Sequence, residues 1–300
     1  MSPSNNNSTA PTHPLRLFLF DSPRTTCQLF YKLFQSHPQL GWGRSYHGFN
    51  GYVLYGPDRI TLKLQHNPEA AKAYSDVWIR HYNEDAVAQA AYPPDLSSAV
   101  QKFESVLAGT EEEGKIFFGK EHTLCLLHQD LILETLRRED RETNLLSLTA
   151  NPTYIPTPIL PTLTPLMIIR HPLLIIDSLW RGQLETTKML PWDEDFEFQS
   201  TLKWTRMIHQ YFTDQLGITP IVVDSHDVMF NTRALTDKLC GKLGIDPEGV
   251  NETWDPVPQE YWPTSPVAVK FVGHLLSSKG VERPKEVRLT PVLCSRQRNH

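Results

Sequence analysis

Three hundred residues with a 40% apolar share can build a sizeable α/β core with elaborated loops. A formal net charge of −5 and an isoelectric point near 6.2 argue against a nucleic-acid binder that works by neutralising phosphates, although a local cluster of Arg and Lys still suffices for a small anion. Four scattered cysteines lack metal-ligand spacing and twelve histidines form no HExxH pair, so no metal is expected.

Met1 to Pro14 is Ser, Asn, Thr and Pro without an apolar run or a basic region. It reads as a disordered tail, not a targeting peptide, ahead of one domain over 15–300. No stretch approaches the ~18 apolar residues of a membrane span, so a soluble cytoplasmic protein with free cysteines and no membrane partner is expected. Leu15–Phe20 is a buried-strand run, followed by a capping-rich turn and then Cys27–Phe34, apolar at helical spacing. Gly41–Gly56 reads as a Gly- and aromatic-rich loop, and Asn67–Gln89 and Asp95–Leu107 as helices.

Lys115–Gly119 predicts a second strand, with a helix after it through Arg138. Five prolines make Asn151–Pro165 a loop into the third strand, Leu166–Ile169, and a helix follows over Pro172–Trp180. Leu184–Glu197 is acidic and aromatic and reads as a mobile loop. Phe198–Gln215 is an amphipathic helix, Thr219–Val223 a fourth strand, Asn231–Gly244 a glycine-stopped helix and Val267–Ser278 a last helix. Strands alternating with helices imply a central parallel sheet flanked by helices.

Three segments carry chemistry. Pro23-Arg24-Thr25-Thr26-Cys27-Gln28 leaves a strand and opens a helix, so backbone N–H groups, the helix dipole, Arg24 and the Thr25 and Thr26 hydroxyls converge as an anion site. An ordinary capped helix with a surface Arg is the plainer reading of this segment taken alone. Lys120-Glu121-His122 ends the second strand, where open α/β sheets place ligands. Histidine titrates near neutrality and suits a base, while a lysine two residues earlier lies on the same strand face and can stabilise a departing anion. In LMIIRHPLLIIDSLW a strand ends at Arg170 and Ser178 stands eight residues on, about two helical turns into the next element. No GxxxxGK[ST] segment is present, so ATP hydrolysis by that route is not expected.

Taken together over Arg16 to Asp246, these segments resemble the sulfotransferase superfamily, and within it the fungal sulfotransferase-like P-loop proteins of secondary-metabolite pathways. PRTTCQ resembles the loop P-[KR]-S-G-[ST]-T that binds the 5′-phosphosulfate of PAPS (3′-phosphoadenylyl sulfate). KEH resembles the family's Lys-x-His, and Arg170 with Ser178 is similar to the strand-Arg and helix-Ser that hold the 3′-phosphate. Thr26 stands where glycine is usual, and threonine is strained there if φ is positive. Lys279-Gly280 is faintly similar to the family's C-terminal RKG triplet, or is a plain helix stop.

The resemblance implies a PAPS-dependent transferase moving a sulfuryl group to a hydroxyl of a small acceptor. Arg24, Thr25, Thr26 and Cys27 would then hold the phosphosulfate, Arg170 and Ser178 the 3′-phosphate, Lys120 the leaving group, and His122 would be the base. Aromatic residues of Trp42–Tyr55, and Trp192, would wall the acceptor pocket or simply pack the core. The same fold could instead serve another tailoring step without PAPS, or a non-catalytic nucleotide binder.

Overall fold

The computed structural model describes residues 14–41, 51–55, scattered positions between 72 and 83, 95–137, 148–264 and 266–283. Strands β1 (Arg16–Asp21), β2 (Leu40–Gly41), β3 (Ile116–His122), β4 (Thr164–Ile169) and β5 (Ile221–Asp224) form one sheet in the order β2-β3-β1-β4-β5. Every pairing is parallel. The expected α/β class, a parallel sheet flanked by helices, is what the chain adopts.

β1 is central, and its alternation assigns the two faces. Phe18 and Phe20 join Phe103, Phe117, Trp204 and Phe212 in one core cluster. Leu17 and Leu19 join Phe30, Leu33, Phe118, Leu166 and Ile168 in the other. Burying each such side chain stabilises by about 1.5–3 kcal/mol, enough to fix the register of the strand. Helix α1 (Cys27–Phe34) supplies Phe30 and Leu33 to the second cluster, so it lies on the Leu17/Leu19 face.

The chain runs from β1 to β2 and β3 on one side and then crosses to β4 on the other. Strand order therefore reverses next to β1, and the crevice beyond the carboxyl ends of β1 and β4 is the place where such sheets bind ligands.

Several element boundaries differ from expectation for local reasons. Helix α2 (Leu96–Glu112) runs five residues beyond Leu107 and is capped by the Asp95 side chain, which accepts from Ser98 N. The single helix expected after β3 is two, α3 (Thr123–Leu126) and α4 (Gln129–Arg137), because Leu127 leaves the helical path to bridge Thr153. α5 (Pro172–Thr186) continues well past Trp180, and α6 (Glu194–Ser200) begins inside the segment read as a loop. Met189 and Phe196 explain that difference, since both are buried against Leu179.

α6 and α7 (Lys203–Asp214) replace one expected helix, broken where the Thr201 hydroxyl accepts from Lys203 N. α8 (Ser225–Phe230) precedes α9 (Thr232–Leu243), which ends at Gly244 with φ 69° as anticipated, and α10 (Pro266–Ser277) closes the described chain. The expected tail, Trp42 and nearly all of the expected helix Asn67–Gln89 lie outside the described residues. No described helix is long and apolar enough to cross a membrane.

Candidate active site

Parity along the strands builds the site. Leu17, Leu19 and Asp21 share a face on β1, as do Phe118, Lys120 and His122 on β3. The register sets Leu19 beside Lys120 and Asp21 beside His122. Where the apolar face reaches the carboxyl edge it therefore changes into a carboxylate, an ammonium and an imidazole.

Asp21 is fully buried, hydrogen-bonds His122 and forms an ion pair with Lys120. Its Oδ2 lies 3.1 Å from Lys120 Nζ, itself fully buried, and its Oδ1 accepts from His122 Nδ1. Burial pushes the Asp21 carboxyl up, but the Lys120 ammonium and His122 outweigh it and hold it below the usual carboxylate value. Burial works against the Lys120 charge too, yet the Asp21 carboxylate keeps its pKa above the ordinary lysine value. For His122 burial wins over Asp21, and the ring is held neutral below its usual pKa.

An ionised Asp21 can only accept, so the neutral His122 ring carries its proton on Nδ1 and offers a lone pair at Nε2. Tyr52 Oη lies 2.9 Å from that nitrogen. The Tyr52 ring also stands over Lys120 Nζ at 4.2 Å, a cation–π contact.

Tyr52 is placed by the backbone. Lys120 N donates to Gly51 O at 2.8 Å, and Tyr52 bridges Lys120 in parallel, extending the pairing of β3 past β2. Gly51 has φ 94°, and a Cβ there would stand 2.4 Å from the Tyr31 ring, so only glycine admits this approach. Glu121 points to the opposite face, where its carboxylate accepts from Val53 N and Leu54 N. Burial pushes its pKa up to about 7 against those backbone donors.

The second corner lies across β1. Arg24 and Thr26 have φ of 67° and 66°, so the loop between β1 and α1 turns left-handed at two non-glycine residues. Such curled backbone gathers N–H groups into an anion-binding concavity. Thr26 is the N-cap of α1 but its side chain does not cap it; the hydroxyl bonds the Thr25 carbonyl instead. No acidic residue occupies the first turn, so the positive end of α1 keeps its N–H groups for another partner.

Arg24 Nε donates to Ser178 Oγ at 2.9 Å and Nη1 to the Phe271 carbonyl at 3.2 Å, with the Phe271 ring 5.0 Å from the guanidinium carbon. Burial, with Arg170 nearby, brings the Arg24 pKa down to about 10. Arg170 Nη1 donates to the Arg24 carbonyl at 2.6 Å, while its Nε is buried without a protein partner among the described residues. Arg181 pairs with Asp177 at 2.7 Å, and neither Arg24 nor Arg170 has an ion pair of its own among the described residues.

The residues assigned to catalysis and nucleotide binding from sequence thus lie at one edge, in two groups. Arg24, Thr26, Arg170 and Ser178 stand together. Thr25 and Cys27 turn inward: the Thr25 hydroxyl donates to Ser22 O at 2.7 Å, and the Cys27 thiol sits with Asp21 and His122, all three ligand atoms lying within 4.8 Å of one another. Burial, reinforced by Asp21, pushes that thiol up to about 11. The Lys120 ammonium in the same pocket would repel a cation, so this cluster suits proton handling better than metal binding.

No protein-family model matches the chain. It is 25% identical to Sulfotransferase ppzF of Metarhizium majus over 92% of this chain and 85% of that protein. It is 24% identical to Sulfotransferase ppzF of Metarhizium rileyi over 94% and 86%. Over most of its length the chain is thus similar to proteins named as sulfotransferases. Among solved structures it shows a partial likeness to the sulfotransferase domain from the curacin biosynthetic pathway, with 13% identity, a TM-score of 0.38, and 78% of this chain and 75% of that one covered. Another is the sulfotransferase domain of the Synechococcus PCC 7002 olefin synthase, with 17% identity, a TM-score of 0.35 and coverage of 79% and 76%.

Asp21 escaped the sequence reading, Gln28 and Glu121 stood inside the quoted segments without a role of their own, and Tyr52 was expected only as one of the aromatics of Trp42–Tyr55. A signal for Asp21 was present, as the first acidic residue after the LRLFLF run on the parity of Leu17 and Leu19. That Tyr52, among the aromatics of its segment, would meet His122 had no signal, because the contact spans seventy positions. Of the expected acceptor-pocket aromatics, Trp192 is 67% exposed while Tyr52 lies against His122 with ring centroids 5.1 Å apart.

Proposed function

We propose that the chain transfers a sulfuryl group from PAPS to a hydroxyl of a small acceptor. One observation carries this reading: a cationic corner with an uncapped helix N-terminus and a neutral, carboxylate-oriented imidazole share one sheet edge, on either side of β1. The buried, unpartnered Arg170 Nε fits a phosphate oxygen, as does the Ser178 hydroxyl, which accepts from Arg24 and still has a proton to donate.

In this reading His122 removes the acceptor proton and its imidazolium is stabilised by Asp21. The acceptor oxygen attacks sulfur as the bond from sulfur to the phosphate oxygen breaks. The loop N–H groups and Arg24 take up charge on the departing phosphate, and Lys120 adds positive field from the inner wall. The buried thiols Cys27, Cys125 and Cys240 suit a reducing, cytoplasmic setting.

A second reading keeps the His122–Asp21 pair but replaces sulfuryl transfer with another tailoring step. Thr26 favours it, since a branched side chain held at φ 66° crowds a loop where the resembled family uses glycine. A thermal-shift titration with the desulfated nucleotide PAP, followed by transfer of labelled sulfur from PAPS, separates the two. Stabilisation and transfer are expected; no shift with PAP sinks the nucleotide site, and a shift without transfer leaves a nucleotide binder.

A further inference from the structure

The basic nitrogen of His122 does not face an acceptor directly. Tyr52 Oη occupies its hydrogen-bonding direction at 2.9 Å, and Gln28 Nε2 donates to the same hydroxyl oxygen at 2.9 Å. Direction along this chain is fixed by chemistry. Asp21 can only accept, so Nδ1 donates to it and Nε2 must accept; the amide of Gln28 donates, so the Tyr52 oxygen accepts from it and directs its own proton at Nε2. The whole runs Gln28 to Tyr52 to His122 to Asp21, and at each link a donor faces an acceptor. Four separate elements hold it: α1 carries Gln28, the 51–55 segment carries Tyr52, β1 carries Asp21 and β3 carries His122.

The phenol is locked as firmly as the imidazole. Gly51 O is tied to Lys120 N, and the two N–H groups after Tyr52 are tied to buried Glu121. An acceptor hydroxyl can reach Nε2 only by expelling the phenol, or it can hand its proton to the phenol oxygen.

We propose that Tyr52 is a catalytic residue, the outer member of a Tyr52–His122–Asp21 proton relay through which a hydroxyl acceptor is deprotonated. The inference rests on the sulfuryl-transfer reading above. As the acceptor oxygen bonds to sulfur and the bond from sulfur to the phosphate oxygen breaks with its electron pair on phosphate, the acceptor proton passes to Tyr52 Oη. The Tyr52 proton passes at the same time to His122 Nε2. Tyr52 ends neutral, His122 ends as an imidazolium paired with Asp21, and the proton leaves from His122 after the products depart. The phenol need never be released as a free phenolate, so the weak acidity of phenols, with a reference pKa of about 10, is no obstacle.

Tyr52→Phe in the full-length chain tests the relay, because it keeps the ring over Lys120 and removes only the hydroxyl. Three measurements are made on wild type and variant: a PAP titration, kcat for labelled-sulfur transfer from PAPS to naphthol, and the His122 ring titration by nitrogen NMR. The groups facing His122 are Asp21, Lys120, Arg24, Cys27 and Tyr52, and only the last is changed. Expected are unchanged PAP affinity, a fall in kcat of roughly 10²-fold, the lower end for a lost acid–base group, and a His122 pKa moved upward. The upward direction follows because the Tyr52 donor favours the neutral ring, and its loss favours the charged one. A variant with wild-type or faster kcat overturns the relay and makes Tyr52 a shield over the base. If the wild-type chain neither binds PAP nor moves sulfur, the sulfuryl-transfer reading falls by itself; the His122 titration then decides, and an unmoved pKa in Tyr52→Phe overturns the relay as well.

Discussion

The two corners of the sheet edge are built on opposite electrostatic plans. Around Asp21 every charge is balanced: one carboxylate, one ammonium, a neutral ring and an un-ionised thiol lie in contact and almost wholly buried. Around Arg170 two guanidiniums stand beside an uncapped helix start, with the nearby Asp177 already committed to Arg181. Asp caps the starts of α2 and α8, where no ligand is expected; α1 has no such cap. A balanced cluster costs far less to bury than an unpaired charge, and a proton can move within it without changing its net charge. An unbalanced one is tolerated when an anion completes it. Under the proposed function the first plan serves chemistry and the second binding, so the two corners should fail differently when mutated.

The largest expected effect is on the balanced side. His122→Ala should leave PAP affinity nearly unchanged while product formation falls by roughly 10²–10⁴-fold, with a lower melting temperature because buried Asp21 loses a partner. A folded variant that still turns over at near the wild-type rate breaks the division of labour, since His122 would then be packing and not base. Next comes Arg170→Ala, which should weaken PAP binding by about 1.5–3 kcal/mol, the range for a charged hydrogen bond. Because Arg170 Nη1 also holds the Arg24 carbonyl, part of that loss reflects a loosened loop. Calorimetry showing unchanged PAP affinity would remove the 3′-phosphate assignment.

The smallest effect is expected at Thr26, where the strain of φ 66° in a branched residue, on the order of 1 kcal/mol, is partly offset by the greater freedom of glycine in the unfolded chain. Thr26→Gly should therefore melt close to wild type and bind PAP as well or better. A marked loss of affinity would show that the threonine hydroxyl is itself a ligand, and would sharpen the binding corner by one residue.

Which residues meet at the edge was legible in advance for the three segments that carry a short-range signature. PRTTCQ sits between an apolar run and a helical repeat, KEH ends a strand, and Arg170 precedes Ser178 by two turns. Positive φ at Thr26 follows from the glycine it displaces, and the structure has it. Missed were the strand of only two residues at Leu40 and Gly41, too short to show a period, and the helix breaks at Leu127 and Thr201, made by single hydrogen-bonding events.

By itself, the sequence determined the class of sheet, its face pattern and the candidate groups, because strand alternation and helix starts are written in neighbouring residues. Only the tertiary structure decided how those groups divide. Thr25 and Cys27 turn inward and Arg24 outward although they are adjacent or nearly so, and that follows from the backbone curling at two left-handed residues. Asp21 became the hub of the proton-handling corner because parallel register set it beside His122, and Tyr52 joined it because Gly51 and Glu121 fasten a distant segment onto β3. Register and long-range contact are properties of strands brought together, so no window of the chain contains them.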